Sequence, residues 1–398
     1  LMKAHQGRAP IRWNKIPSRV GEVIVNVLGQ KAVARKPVIG AIHATIFWGF
    51  MVITVGTTEQ FISTINELWN FQNLGPVYRA FVFVQDCFVL AVFLAVLGAA
   101  YRRFVVRPEG LGKSHDATNV LIFTGSLMIS IMLMDGFHIL GVSPWYQDSM
   151  PVSSAVASIL SVLNLSQPVN EFLATFFKWV HMLLVLSFAV YIPRSKHLHI
   201  VASAPNTFLK QLPRAKGMSP INFEDEKITQ YGAGKVTDLS WKDALDYYAC
   251  TECGRCQDLC PAWNTQKPLS PKRLILDLKD NMYRNKEQIL AGKLDEVTPL
   301  IDDRVTEDVI WACTSCRACE IACPVFIEQT DKIYASRRNL VMMESKFPAE
   351  LQTVFKNMET NATPWAFSSS DRAKWSEGLS IPTVTEAGAG NIDVLLWV

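Results

Sequence analysis

Eight of the nine cysteines in this 398-residue chain fall in two stretches, CTECGRCQDLCPA at 250–262 and CTSCRACEIACPV at 313–325. Each reads Cys-x2-Cys-x2-Cys-x3-Cys-Pro. Three thiolates two residues apart can each take one iron corner of a cubane, while the fourth, turned away by the proline after it, reaches the other cluster. The two cassettes therefore interlock. Cys250, Cys253, Cys256 and Cys323 are expected on one 4Fe-4S cluster, and Cys313, Cys316, Cys319 and Cys260 on a second. Structural zinc takes two well-separated cysteine pairs, and disulfides belong to oxidising compartments, so neither alternative fits. Paired clusters with every iron ligated relay single electrons and do no bond chemistry themselves.

The histidines offer a second redox chemistry. His181 and His199 are 18 residues apart, which on a continuous helix is five turns, one face and about 27 Å. Ionisable groups at membrane depth are rare, and two on one face point to axial ligation of haem b. His43, about two turns into the first apolar run, is the natural second ligand opposite His199. His138 is a candidate ligand for a second haem with His181, or a polar group at a quinone site; one haem and two haems both stay open. His115 and His197 read as solvated or lipid-facing. Asp86, Asp135 and Lys178 are costly inside apolar runs unless paired or facing a cavity. They are candidates for a quinone site at which carboxylates relay protons; alternatively Lys178 pairs with Asp86 or Asp135 and joins helices. Cys87 reads as packing.

Such ligands need a membrane bundle to hold them. The chain is 49% hydrophobic and 19% charged, and its apolar residues concentrate in runs 38–58, 80–101, 117–140 and 172–193. Each run is long enough for a hydrocarbon core of about 30 Å. The serine-rich run 152–166 is expected to lie on the bilayer or re-enter it. Lys3, Arg8, Arg12, Lys15, Arg19, Lys31, Arg35 and Lys36 precede the first run, and Arg102, Arg103, Arg107 and Lys113 fill the second loop. Basic loops stay in the cytoplasm, so four crossings return the chain there at Arg194 and Lys196 with both cassettes following. The net charge of +3 follows from this topology and calls for no nucleic-acid partner.

The expected architecture is mainly α: a transmembrane helical bundle followed by an α-helical two-cluster ferredoxin domain. The segments read as a basic cytoplasmic stretch (1–37), a transmembrane cytochrome b-like domain (38–200) and a linker (201–240). A 2x[4Fe-4S] ferredoxin-like domain (241–345), with a helix at 271–291, and a connector (346–398) complete the chain. The terminal IDVLLWV has a buried-strand pattern that stops without a turn, and Leu1 is not a start methionine. The expectation is a piece of a longer chain.

HMLLVLSFAVYIPRSKHLH (181–199) resembles the last helix of the nitrate-reductase gamma-subunit type of cytochrome b, in which two haem-ligating histidines also lie 18 apart. That resemblance implies His181 on a distal haem and His199 on a proximal one. GAIHATIFWGF resembles the partner helix and puts His43 on the proximal ligand; the distal one would fall ten residues on, at Ile53. The cassettes with their flanks, through CTECGRCQDLCPAWNTQKPLSPKRLILDL to NATPWAF and DRAKW, resemble membrane-bound iron-sulfur oxidoreductases related to heterodisulfide reductase. There a gamma-like cytochrome b domain is fused to a two-cluster ferredoxin domain and then to CCG domains, the first of which DVLLWV would enter. The resemblance implies a respiratory enzyme of the bacterial or archaeal cytoplasmic (inner) membrane. It would pass electrons from electron-transfer flavoprotein, or another cytoplasmic donor, through two clusters and haem b to menaquinone. The alternatives are a thiol-disulfide or hydroxy-acid substrate, or a non-catalytic anchor and electron wire within a larger respiratory complex.

Overall fold

The computed structural model describes residues 12–396 apart from 67, 109–111, 113, 213–217, 219, 220, 225, 227, 303, 389 and 391. The expectations on Lys3, Arg8, Lys113 and the last two residues of IDVLLWV lie outside the described residues. The chain divides into two compact units, Leu1–Arg337 and Arg338–Val398. The apolar helices and both cassettes thus share one unit rather than parting near residue 200.

In that unit α1 (Ile16–Val23) and the one-turn α2 (Lys31–Ala34) lead into α3 (Pro37–Ile65) and α4 (Pro76–Tyr101). Then come α5 (His115–Val142), the short α6 (Pro151–Leu160) and α7 (Gln167–Tyr191). Pro37, Pro76 and Pro151 stand at first helical positions, where a missing N–H costs nothing, and the Ser114 hydroxyl accepts from Ala117 N to start α5. Four helices, Pro37–Ile65, Pro76–Val106, His115–Val142 and Gln167–Arg194, are long and apolar enough to cross a membrane. They contain the four expected runs and extend past them. The run at 152–166 forms a helix of 10 residues, α6, too short to span.

Close backbone approach joins α3 to α4: a Cβ on Gly49 would run into Val92 and one on Gly56 into Gln85. Small residues seven apart give one helix a flat stripe against the other. Ile53, Val89, Val92, Val96, Met128 and Ile131 form the core between α3, α4 and α5. Asp86 is used differently from the expectation. Its carboxylate accepts from Val152 N (2.6 Å), Ser153 N (3.1 Å) and Ser153 Oγ (2.6 Å), satisfying donors that the start of α6 leaves open. Among the described residues no ion pair joins Lys178 to Asp86 or Asp135; in Asp86 both oxygens are already spent on α6.

The largest departure concerns His181 and His199. The last long helix does not continue between them. Pro193, which cannot donate an N–H and crowds the preceding turn, sits in a 3-10 turn at Ile192–Arg194; Ser195 is extended, and a second 3-10 turn covers Lys196–Leu198. His199 then opens a new helix, α8 (His199–Phe208). No unbroken run of five turns links the two histidines, which sit on separate helices. The expected linker also shrinks, because Ala202, Ser203, Asn206 and Thr207 of α8 are buried.

The cassette region is built from short helices, α9 (Trp241–Ala249), α10 (Arg255–Asp258), α11 (Pro261–Asn264), α12 (Pro271–Arg284) and α13 (Lys286–Ala291), then α14 (Glu307–Trp311), α15 (Ala318–Ala322) and α16 (Gln329–Arg338). The helix expected at 271–291 breaks at Asn285, whose side chain is drawn to Asn281 O and Thr298 Oγ1. The second unit holds α17 (Glu350–Asn361), a 3-10 segment at Ser369–Ser376 and α18 (Val384–Ala387). Val394, Leu395 and Leu396 have no regular structure and are exposed, so no buried strand forms there among the described residues.

Candidate functional site

Both cassettes adopt one backbone. Glu252 (φ 56) and Gly254 (φ 80) in the first match Ser315 (φ 59) and Arg317 (φ 57) in the second, all left-handed. Residues other than glycine take that conformation at a cost of about 1–3 kcal/mol, so the surroundings must hold them there. In the second cassette Arg337 does so, donating to Cys313 O (2.6 Å) and Ile310 O (2.9 Å). The turns aim backbone donors at sulfur: Ser315 N to Cys313 Sγ (3.3 Å), and Ile327 N to Cys323 Sγ (3.4 Å).

The structure brings Cys250, Cys253, Cys256 and Cys323 around one small cavity. Burial pushes the Cys250 and Cys323 thiols up to about 12, and like charges from within this group add to it. Burial likewise raises Cys313 and Cys319, whose cysteine neighbours include Cys260. The crossed sets are thus adjacent in space. Burial alone raises a thiol in this way; a cation bound by these sulfurs would reverse the shift. Among the described residues no three of His, Cys, Asp or Glu converge as ligands of a single ion; a cubane spreads four thiolates over four irons, one each.

A buried charge network braces the first set. Lys242 Nζ donates to Asp246 Oδ1 (2.7 Å), and Lys332 Nζ to Asp246 Oδ2 (2.6 Å) and Asp243 Oδ1 (2.8 Å). Asp246 also accepts from Glu328 N (3.3 Å), and its carbonyl from Cys250 N (3.1 Å). The network so ties α9, which ends at Cys250, to the loop after Cys323. Burial alone would raise the Asp246 carboxyl, but Lys242 and Lys332 outweigh it and hold the group down to about 2. Its folded value lies below the unfolded one, so its stabilisation is present above pH about 4 and is lost as pH falls through about 2. Lys332→Met is expected to cost about 3–5 kcal/mol by leaving buried carboxylates unpaired. Thermal unfolding followed by circular dichroism checks this; an unchanged midpoint at pH 7 would mean that the network contributes nothing.

A second cavity, of about 830 Å³, is bordered at one end by Cys253, Pro324 and Val325 and farther on by His43, His197, His199 and His181. Each expected haem ligand except His138 faces it, with a defined tautomer. His43 Nδ1 donates to Gln30 Oε1 (2.9 Å), the amide being oriented by Gln30 Nε2 donating to Val27 O (2.5 Å). His199 Nδ1 donates to Lys196 O (2.8 Å). His181 Nδ1 donates to Ser130 Oγ (2.9 Å), whose own proton goes to Leu127 O (2.8 Å). In His43 and His199 the Nε2 lone pair is left for a metal, the arrangement that an acceptor behind the ring imposes on a ligating imidazole, whereas His181 Nε2 meets Thr57 Oγ1. His43 and His199 are electrostatic neighbours across the cavity, and burial keeps His199 below its ordinary value and hence neutral.

Thr57 Oγ1 lies 3.5 Å from His181 Nε2, and Ile53 borders the same cavity. His138, Asp135 and Lys178 do not border this cavity among its described residues. His138 instead lies in the field of Lys178. His197 is not lipid-facing: it packs 5.2 Å from Phe188 and 5.4 Å from His199 between ring centroids, and burial then His199 lower it to about 4. His115, by contrast, is exposed at the start of α5.

The junction between bundle and cassettes uses residues that sequence reasoning missed. Arg255, inside the first cassette, donates to Ala32 O (3.1 Å) and Val33 O (2.9 Å) of α2, the helix that follows Gln30. Asn206 of α8 donates to Val325 O (2.8 Å), two residues past Cys323. Lys36 pairs with Asp258 (2.9 Å). Arg255 carried a signal, a charge within a ligand cassette; Gln30 and Asn206 carried none.

These features define a membrane protein bearing a two-cluster ferredoxin domain against a histidine-lined bundle. Residues 249–327 match the 4Fe-4S dicluster domain. Across 96% of its length the chain is 34% identical to the probable iron-sulfur-binding oxidoreductase FadF of Bacillus subtilis, covering 59% of that protein. It is 31% identical over 92% of its length to the EtfAB:quinone oxidoreductase of Syntrophomonas wolfei, covering 54% of it. A segment of 35% of the chain is 30% identical to one component of the dihydromethanophenazine:CoB–CoM heterodisulfide reductase of Methanosarcina acetivorans, covering 34% of that component. The chain thus spans between half and three-fifths of the length of the first two relatives. No solved structure matches it significantly.

Proposed function

We propose that the protein of which this chain is part is a quinone-linked oxidoreductase of the bacterial or archaeal cytoplasmic membrane. Electrons come from electron-transfer flavoprotein or a similar cytoplasmic donor and go to menaquinone. Cys250, Cys253, Cys256 and Cys323 hold one 4Fe-4S cluster, and Cys313, Cys316, Cys319 and Cys260 the other. His43 and His199 hold one haem b. The clusters and the haem supply one-electron transfer, and the chain's residues fix where each transfer can occur. The observation that carries this reading is the shared cavity, bordered by Cys253 of the first set and by both His43 and His199. None of the second set borders it among its described residues, which favours the first cluster as the one next to the bundle and the second as the point of entry. Thr57, whose hydroxyl rather than a second imidazole meets His181 Nε2, favours a single haem.

The bundle contributes exclusion and orientation. Arg255 seats the first cassette on α2, and Asn206 of α8 holds the loop after Cys323, so that both cassettes are fixed against the histidine-lined bundle. The similarity to an EtfAB:quinone oxidoreductase supports the donor and acceptor, and the basic residues around Lys36, Arg102 and Lys196 support the cytoplasmic placement of the cassettes. The test is turnover of a menaquinone analogue by the purified full-length protein with reduced electron-transfer flavoprotein, together with its metal content. About eight irons, a low-spin haem band and flavoprotein-dependent quinone reduction are expected. Reduction seen only within a larger complex would make the chain an electron wire, and absence of haem would remove the cytochrome.

A further inference from the structure

The far end of the histidine-lined cavity differs from the end at the cassettes. Thr57 lies about four turns of α3 beyond His43, roughly 21 Å, out of reach of a porphyrin centred between His43 and His199. The lining there is apolar, with Phe50, Ile53, Phe61 and Val185, and into it come the His181 ring of α7 and the Thr57 hydroxyl of α3. Thr54 and Thr58 donate back to their own helix, at Phe50 O (2.6 Å) and Thr54 O (2.7 Å). Thr57 makes no such bond among the described residues. Its Oγ1 has His181 Nε2 at 3.5 Å, long for a hydrogen bond, while Ser130 fixes the His181 ring from behind. A donor and an acceptor thus stand side by side, poorly matched to each other, in an apolar recess. This end also opens sideways. α3 packs on α4 and α7 on α5, and the cavity runs between α3 and α7. Phe50, Thr54 and Thr58, four residues apart along α3, and Ala189 of α7 border the cavity and are exposed as well. They lie within helices long and apolar enough to cross a membrane, so the opening faces hydrocarbon.

We propose that this end of the cavity binds the head of a lipid quinone that enters between α3 and α7, with Thr57 Oγ1 donating to a quinone carbonyl and His181 Nε2 accepting from a quinol hydroxyl. The inference rests on the quinone-linked reading above and deepens it by locating the substrate. An apolar pocket with a few convergent polar groups is the usual form of a small-molecule site, and one entered from hydrocarbon suits a ligand dissolved there. An acyl chain would leave Thr57 and His181 only each other at 3.5 Å. A second haem needs a further ligand, and the group that meets His181 is a hydroxyl. The site also moves away from Asp86, Asp135 and Lys178: Asp86 is spent on the start of α6, and the other two do not border this cavity among its described residues.

The full-length protein is titrated with heptyl-hydroxyquinoline N-oxide, a quinol analogue whose fluorescence is quenched on binding, and flavoprotein-dependent quinone reduction is measured alongside. The unsubstituted protein is expected to bind the analogue. Thr57→Val, which keeps the β-branched shape and removes the hydroxyl, should weaken binding about tenfold, and His181→Ala at least as much. Thr54→Trp, which fills the opening from an exposed position, should weaken it as well. Haem and cluster spectra of all three variants should match the unsubstituted protein, which separates a lost site from a misfolded chain. Unchanged analogue affinity in either Thr57→Val or Thr54→Trp overturns the inference, leaves the quinone-linked reading standing, and gives this end to lipid or to another part of the full-length chain. Haem lost in His181→Ala overturns it too, by filling this end with a second haem. Quinone reduction by a protein that does not bind the analogue overturns the inference alone. If the unsubstituted protein neither binds the analogue nor reduces quinone, the quinone-linked reading falls and this inference falls with it.

Discussion

His199→Ala is expected to remove the low-spin haem band and to stop electron arrival at quinone, while both clusters remain reducible from the soluble side. His199 is the first residue of α8, its Nδ1 proton is committed to Lys196 O, and its Nε2 is the one ring atom left to face the cavity. Alanine removes a ligand where loss of a mere hydrogen-bond partner behind a ligand already costs about 10–100-fold in metal affinity, so the haem should be lost outright. His43→Ala should behave alike, and Gln30→Leu should reproduce it in weaker form by freeing the His43 ring to turn. His181→Ala should keep full haem content, since Thr57 Oγ1 meets its Nε2 at 3.5 Å. Spectra of the three histidine variants decide the matter. Haem lost in His181→Ala would establish a second haem, and haem retained in both His43→Ala and His199→Ala would end the cytochrome reading.

What the sequence made legible was whatever is set by local spacing or by the bilayer. The cassettes could be read because three ligands of a cubane lie within seven residues and the fourth is marked by its proline. The four spans could be read because hydrocarbon thickness dictates their length. The break after Tyr191 was visible as Pro193 but was overruled by the attractive 18-residue spacing. Two histidines on separate helices still reach one cavity, so they were grouped for a geometric reason that does not hold. Asp86 misled because a charge in an apolar run suggests another charge or a substrate, whereas its partners are backbone N–H groups of α6, which leave no trace in composition. Gln30, Arg255 and Asn206 act on atoms far along the chain; Asn206 meets Val325 at a separation of 119 residues. Lys242 and Asp246 are an i,i+4 pair that could have been read, but Lys332, which completes their charge balance, lies 86 residues from Asp246.

Cys323→Ser is expected to abolish the electron paramagnetic resonance signal of the first cluster and to spare that of the second, although Cys323 belongs by sequence to the second cassette. The structure gives the reason. Cys323 is 5% exposed, borders one cavity with Cys250, Cys253 and Cys256, and receives Ile327 N at its sulfur. A serine oxygen there is a harder and poorer ligand for iron than a thiolate, and the loop from Cys323 to Glu328 is braced through Asp246. Cys260→Ser should give the mirror result, because the neighbours of Cys313 and Cys319 include Cys260 and the second cluster alone would lose a ligand. The two variants should also differ downstream. Cys253 lies at the histidine-lined cavity, so Cys323→Ser removes the carrier proposed to lie next to the haem and should slow haem reduction. In Cys260→Ser a small reductant that reaches the first cluster should still reduce the haem at the normal rate. Loss of the second cluster's signal in Cys323→Ser, with the first intact, would mean that each cassette serves its own cluster and that the crossed arrangement is wrong.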